Sequence, residues 1–100
     1  MASYTVPSGH VGVHVKTLVA ATVDTITFTG VDLTEVEVIS DGTEDIYVTF
    51  GASVTPTVAG TQCYRVPKGN VSAVLTVRTS GDTVVKLISA ATPIYSVART

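Results

Sequence analysis

The sequence predicts an all-β domain: an antiparallel β-sandwich or small barrel of seven to eight short strands, Ig-like or jelly-roll-like in arrangement. Three observations carry this. Val, Thr and Ile dominate the composition, and residues with two heavy atoms on Cβ are stiff in helices but pack well on a pleated surface. Apolar and polar residues alternate with period two in short runs. Turn signals recur about every 8–12 residues, and no segment has helical period.

The first run, HVGVHVK at 10–16, places Val11, Val13 and Val15 on one face and Gly12, His14 and Lys16 on the other. TVDTITFT at 22–29 sets Ile26 and Phe28 inward, with Thr25, Thr27 and Thr29 outward, and GVDLT follows as a turn. EVEVIS at 35–40 alternates Glu35 and Glu37 with Val36 and Val38, and DIYVTF at 45–50 points Ile46, Val48 and Phe50 inward. Between those two runs, Asp41-Gly42 tolerates the positive backbone angles of a tight reversal, so SDGTED is expected to be a solvated hairpin.

GASVTPTVAGT at 51–61 holds Pro56 and two glycines and is expected to be a long loop with at most an edge strand. QCYRVP at 62–67 is a short strand closed by Pro67, and PKGN is a turn. VSAVLTVRT at 71–79 and DTVVKLIS at 82–89 are separated by SGD, a hairpin signal. IYSVA at 94–98 is a last short strand. The expected core is Val11, Val13, Val15, Ile26, Phe28, Val36, Val38, Ile46, Val48, Phe50, Val66, Leu75, Val77, Val84, Leu87 and Ile88. At roughly 1.5–3 kcal/mol for each large side chain buried, that set folds the domain without metal or disulfide. Residues 10–98 form one domain, and MASYTVPSG at 1–9 is expected to be a flexible N-terminal arm, since its small polar residues and Pro7 leave little to pack. VART at the other end is a second candidate arm.

Charged residues are 14% of the chain, against about 25% in an average soluble domain. A surface of Thr, Ser and Ala in place of Lys and Glu points to burial in an assembly. Six basic and eight acidic residues give a formal charge of −2, with the basic residues scattered singly, so nucleic acid is not an expected partner. The start of the chain has neither the basic stretch nor the apolar run of a secretory leader, and TLVAATV is far short of the roughly 20 residues of a membrane helix. The expectation is a chain made and kept in a cytoplasm, with no membrane partner.

Candidate chemistry is sparse. SDGTED fails as a calcium loop, because Gly42 directly follows Asp41 and Thr43 stands where a second carboxylate belongs. His10 and His14, four apart on a strand, lie roughly 13 Å from each other and cannot share an ion. Cys63 has no partner thiol and reads as a small hydrophobe. Glu35 and Glu37 share a strand face turned away from the valines, unlike a glycosidase pair held in a cleft. No nucleophile elbow or phosphate-cradling glycine loop exists. No catalytic residue, metal ligand or cofactor site is therefore expected, and the chain is not expected to be an enzyme. Tyr4, Tyr47, Tyr64 and Tyr95 leave a sugar-stacking platform as an alternative, in the manner of a carbohydrate-binding module.

TLVAATVDTITFTG, EVEVISDGTEDIYVTFG and TVVKLISAATPIYSVAR, in that order, resemble a group of small all-β virion proteins of tailed phages of actinobacteria. The likeness covers roughly residues 10–99. The V-D-T-[IV]-T-F strand, the acidic turn ending in I-Y-[VF]-T and the closing T-V-V-K-L-I-S are more specific as an ordered set than singly, and none is catalytic. The resemblance implies a structural protein of the particle: a capsid decoration (cement) protein on the outer capsid surface, with the major capsid protein as partner. The scarcity of surface charge leads to the expectation of homo-oligomers, trimers being favoured at capsid symmetry positions. A head-to-tail or tail accessory protein is the alternative within the group. On this reading the contacts fall on Tyr4, Val6 and Pro7 of the arm and on Val54, Pro56 and Val58 of the mid-chain loop.

Overall fold

The computed structural model describes residues 1–30, 35–69, 71–77 and 81–99. Among them the chain is all-β, with nine strands in two sheets that form a sandwich. The strands are β1 (Ser3–Val6), β2 (Gly12–Thr17), β3 (Asp24–Phe28), β4 (Glu35–Ser40), β5 (Ile46–Phe50), β6 (Tyr64–Val66), β7 (Ser72–Thr76), β8 (Thr83–Ile88) and β9 (Ile94–Arg99). One sheet, A, has the order β1-β3-β8-β5-β6, and the other, B, the order β2-β9-β4-β7. Pairing is antiparallel except for β1, which runs parallel to β3.

The alternation read from the sequence fixes the inward faces of β3, β4 and β5. Ile26, Phe28, Val36, Val38, Ile46 and Val48 are all buried between the sheets. Leu18 from the β2–β3 connection joins that core, as do Val6, Val66, Val77, Val85 and Leu87, and Tyr95 and Val97 from β9, which lies inside sheet B. In β8 the inward parity is Thr83, Val85 and Leu87; Val84, expected inside, is half-buried on the other face.

Five expectations are corrected. VART is not an arm, because Val97, Ala98 and Arg99 belong to β9 and the first two are buried. Residues 3–6 are not an arm: they form β1, in register with β3 from Ser3↔Thr25 to Val6↔Phe28, and Val6 is buried. The amide of Ala2 is held too, donating to Asp24 Oδ1 at 3.1 Å. SDGTED is not a hairpin, because β4 lies in sheet B and β5 in sheet A; the segment is a corner between sheets. SGD does not join a hairpin either, since β7 pairs with β4 and β8 with β3 and β5. The residues of that link up to Ser80, and most of GVDLT, lie outside the described residues. Finally, β2 does not alternate strictly. A bulge between Val13 and Lys16 puts Val15 at φ 56, and Val11 and Val15 are exposed rather than core. A β-branched residue at positive φ is unfavourable, and here the turned Val15 N–H donates to Ser96 Oγ at 3.0 Å.

Candidate contact surface

The acidic corner works as a fastening. Asp41 Oδ2 accepts the Ile94 N–H at 3.0 Å, and its Oδ1 accepts both the N–H and the hydroxyl of Thr43. The Ile94 amide is the main reason the carboxyl stays below its ordinary value of 3.8; desolvation opposes it, and the two Thr43 bonds add to the lowering. Asp45 Oδ1 accepts the Lys68 N–H at 2.6 Å, with the Arg65 guanidinium 3.7 Å away. Gly42 at φ 76 brings its carbonyl to the Gly69 N–H at 3.0 Å. Both aspartates thus tie the corner to neighbouring turns. No group of three or more His, Cys, Asp or Glu among the described residues is placed to hold a metal ion. His10 and His14 are exposed on the β2 side, and Cys63 is half-buried with its Sγ 3.6 Å from the Thr57 carbonyl oxygen. No helix among the described residues is long and apolar enough to cross a membrane.

One carboxylate is buried. Asp24 stands at an inward position of β3 and is 1% exposed, accepting the Tyr95 hydroxyl at 2.8 Å. Burial, then the hydrogen bond and charge of Asp24, push the Tyr95 phenol well above its ordinary value of 10.0. The pair spans the two sheets and is closed to solvent, so it staples rather than reacts.

Exposed aliphatic residues also stand on the outer face of sheet B, at Ile39, Val74 and Ile94. In register across it run Gly12, Ala98, Glu37 and Val74, and beside them Ser96, Ile39 and Ser72. Val15 is 73% exposed, Val74 54%, Ile94 41% and Ile39 40%. Glu35 and Glu37 are the charges on the described strands of that face. The sequence carried a signal for it that strict alternation hides: Ile39, Val74 and Ile94 sit at the outward parity, where polar residues are expected. Gly12 contributes flatness, since a Cβ there would run into the backbone of Val97 and Ala98.

The outer face of sheet A is different. Thr5, Thr25 and Thr27 line it toward β1, and the 51–61 loop folds over it at β5 and β8. That loop is held by Thr49 Oγ1 donating to the Val54 carbonyl at 3.1 Å and Lys86 Nζ donating to the Ala52 carbonyl at 2.8 Å.

The six expected contact residues do not form one surface. Val6 lies in the core and Pro56 is buried beneath its loop, so neither offers contact area; Tyr4 is half-buried, with the Lys16 ammonium 4.7 Å from its ring centre. Pro7, Val54 and Val58 remain exposed. Of the other tyrosines, Tyr64 is 51% exposed, its ring centre 5.6 Å from that of Phe50 at an interplanar angle of 52°.

No known protein family matches the sequence, and no curated protein does. Solved structures match the fold. A carbohydrate-binding module from a sugar cane soil metagenome, solved with cellopentaose and a gadolinium ion, superposes with a TM-score of 0.59 at 13% identity over 98% of this chain and 90% of its own. The pre-peptidase C-terminal domain of a Bacillus anthracis collagenase gives 0.57 at 7% identity, over 98% and 94%. A mutant of a periplasmic inhibitor of g-type lysozyme from Escherichia coli gives 0.52 at 18%, over 97% and 95%. At these identities the shared property is the β-sandwich itself, and fold does not carry function.

Proposed function

We propose that this protein is a virion structural protein of a tailed phage, a capsid decoration (cement) protein that binds the outer capsid surface and stabilises the head, with the major capsid protein as partner. The observation that carries this reading is the outer face of sheet B, a flat, hydroxyl-rich surface with four exposed aliphatic side chains and few charges on a rigid body. Such a face loses little desolvation energy when covered. The ordered likeness to phage virion proteins supplies the identity of the partner. With residues 3–6 built into sheet A, attachment passes from a loose arm to this face.

Binding to purified capsids tests the reading. Ile39→Asp and Val74→Lys each place a charge on the contact and are expected to weaken co-sedimentation with capsids at least about tenfold, the worth of roughly 1.4 kcal/mol, while leaving the melting temperature unchanged. Undiminished binding by both variants contradicts it. Attachment to tail or head–tail complexes in place of capsids would support the accessory-protein alternative.

One observation favours a second reading, a carbohydrate-binding module: the exposed ring of Tyr64 on a fold shared with a cellopentaose-binding domain. The 52° tilt between Tyr64 and Phe50 gives a sugar one ring to stack on, not a flat two-ring platform. Cello-oligosaccharide titration followed by amide chemical shifts, lost in Tyr64→Ala, would establish it.

A further inference from the structure

Positive φ is ordinarily left to glycine. Among the described residues three others adopt it: Ala21 and Ala59, both small and both in turns, and Val15, at φ 56 within β2. Where a β-bulge turns left-handed, glycine is the usual occupant, because a Cβ there crowds the neighbouring carbonyl and a branched one crowds it most. Valine is among the residues least suited to the place.

The interior does not require the valine. Its side chain is 73% exposed, the most of any large apolar group in the described strands, and it belongs neither to the core nor to the partly buried residues packed against the core. What fixes the turned peptide is the Val15 N–H donating to Ser96 Oγ at 3.0 Å, a bond that any residue except proline makes equally well. The fold therefore bears the strain of the branched side chain and gains no packing from it. Register places that side chain. Val13 stands opposite Val97 and Lys16 opposite Tyr95, both of which are buried, so the bulged residues between them face Ser96, itself opposite Ile39 of β4. Val15 thus stands at the β2 rim of the outer face of sheet B.

We infer that Val15 is the anchor of the contact made by this face, seated in an apolar socket of the capsid protein. The inference rests on the reading of the outer face of sheet B as the capsid-binding surface, and it adds the residue that fixes the position of the contact and the chemistry that receives it. Backbone strain held at an exposed position is characteristic of sites that grip a partner. A valine suits that role, since its branched Cβ leaves little rotamer freedom to lose on docking. The bulge gives it a fixed stance at the rim, beside Ser96 and continuous with Ile39, so one rigid surface carries both the anchor and the rest of the contact.

Three variants separate the fold from the contact. Val15→Gly and Val15→Asn both suit the left-handed backbone and are expected to melt no lower than the wild type, while co-sedimentation with capsids weakens at least about tenfold. Val15→Thr keeps the shape and the strain but exchanges one methyl for a hydroxyl; it is expected to melt with the wild type and to bind capsids at least about threefold more weakly. A melting temperature that falls in both Val15→Gly and Val15→Asn shows that the fold uses the side chain and overturns the inference. Full capsid binding by all three variants overturns it too. In that case Ile39→Asp tells the two claims apart: if it still detaches the protein, the contact face stands and the anchor falls, and if it also binds fully, the capsid reading of this face falls with the anchor.

Discussion

Tyr95 and Asp24 are the residues with most at stake in the interior. Their 2.8 Å hydrogen bond satisfies Oδ2 of a carboxylate that is 1% exposed, and losing the hydroxyl leaves that buried oxygen without its donor while Oδ1 keeps the Ala2 N–H. Tyr95→Phe is therefore expected to cost about 1–3 kcal/mol in urea unfolding. The phenol, raised by burial and by Asp24, favours its neutral form in the folded state. Its contribution is complete below the unfolded value near 10 and is lost as pH rises beyond it, so the wild type should lose stability in alkali in a way that Tyr95→Phe does not. Asp41 has the opposite sign. Its lowered carboxyl stabilises the corner above the ordinary value of 3.8 and stops doing so as pH falls through the folded value. The Ile94 amide signal should accordingly hold its position down to about pH 4 and move below it, and in Asp41→Asn this titration should vanish.

At the scale of elements, β1 is where the structure departs furthest from what composition suggests. Deleting residues 1–6 removes a parallel ladder, exposes the core around Val6 and takes one hydrogen bond from Asp24. Losing the Val6 burial alone is worth roughly 1.5–3 kcal/mol, and at about 4–8 °C per kcal/mol for a domain of this size the melting temperature should fall by 6 °C or more, roughly. An unchanged value would mean that 3–6 is an arm after all. The strand faces were legible because period two survives in β3, β4 and β5, where Ile26, Val38 and Val48 point inward on schedule. Pairing partners were not legible. Asp41-Gly42 marks a reversal, but turn chemistry is the same whether the chain returns along its own sheet or crosses to the facing one. The bulge at Val15 hides in an unbroken run of alternating valines. Asp24, at an inward parity, reads as polar until Tyr95, 71 positions away, arrives beside it.

For the molecule as a whole, long-range order is concentrated in the last strand. β9 sits between β2 and β4, so sheet B cannot assemble until nearly the entire chain is present, and folding governed by such non-local pairing is slow, in milliseconds to seconds. The result is a body whose buried side-chain polar atoms all have partners among the described residues and in which Asp24, Asp41, Asp45 and Asp82 accept backbone N–H groups that fasten strands and turns. The candidate contact surface was half-legible. Scarce charge raises the expectation of a covered face, whereas the choice of face depends on Ile39, Val74 and Ile94 sharing one side of sheet B, which only the register reveals. The central claim is that this body is held against a capsid. A cryo-electron map of the phage particle that carries the chain tests it most directly: the claim predicts copies of the sandwich at regular positions on the outer shell with the outer face of sheet B against the capsid protein, and a shell that lacks this density would contradict it.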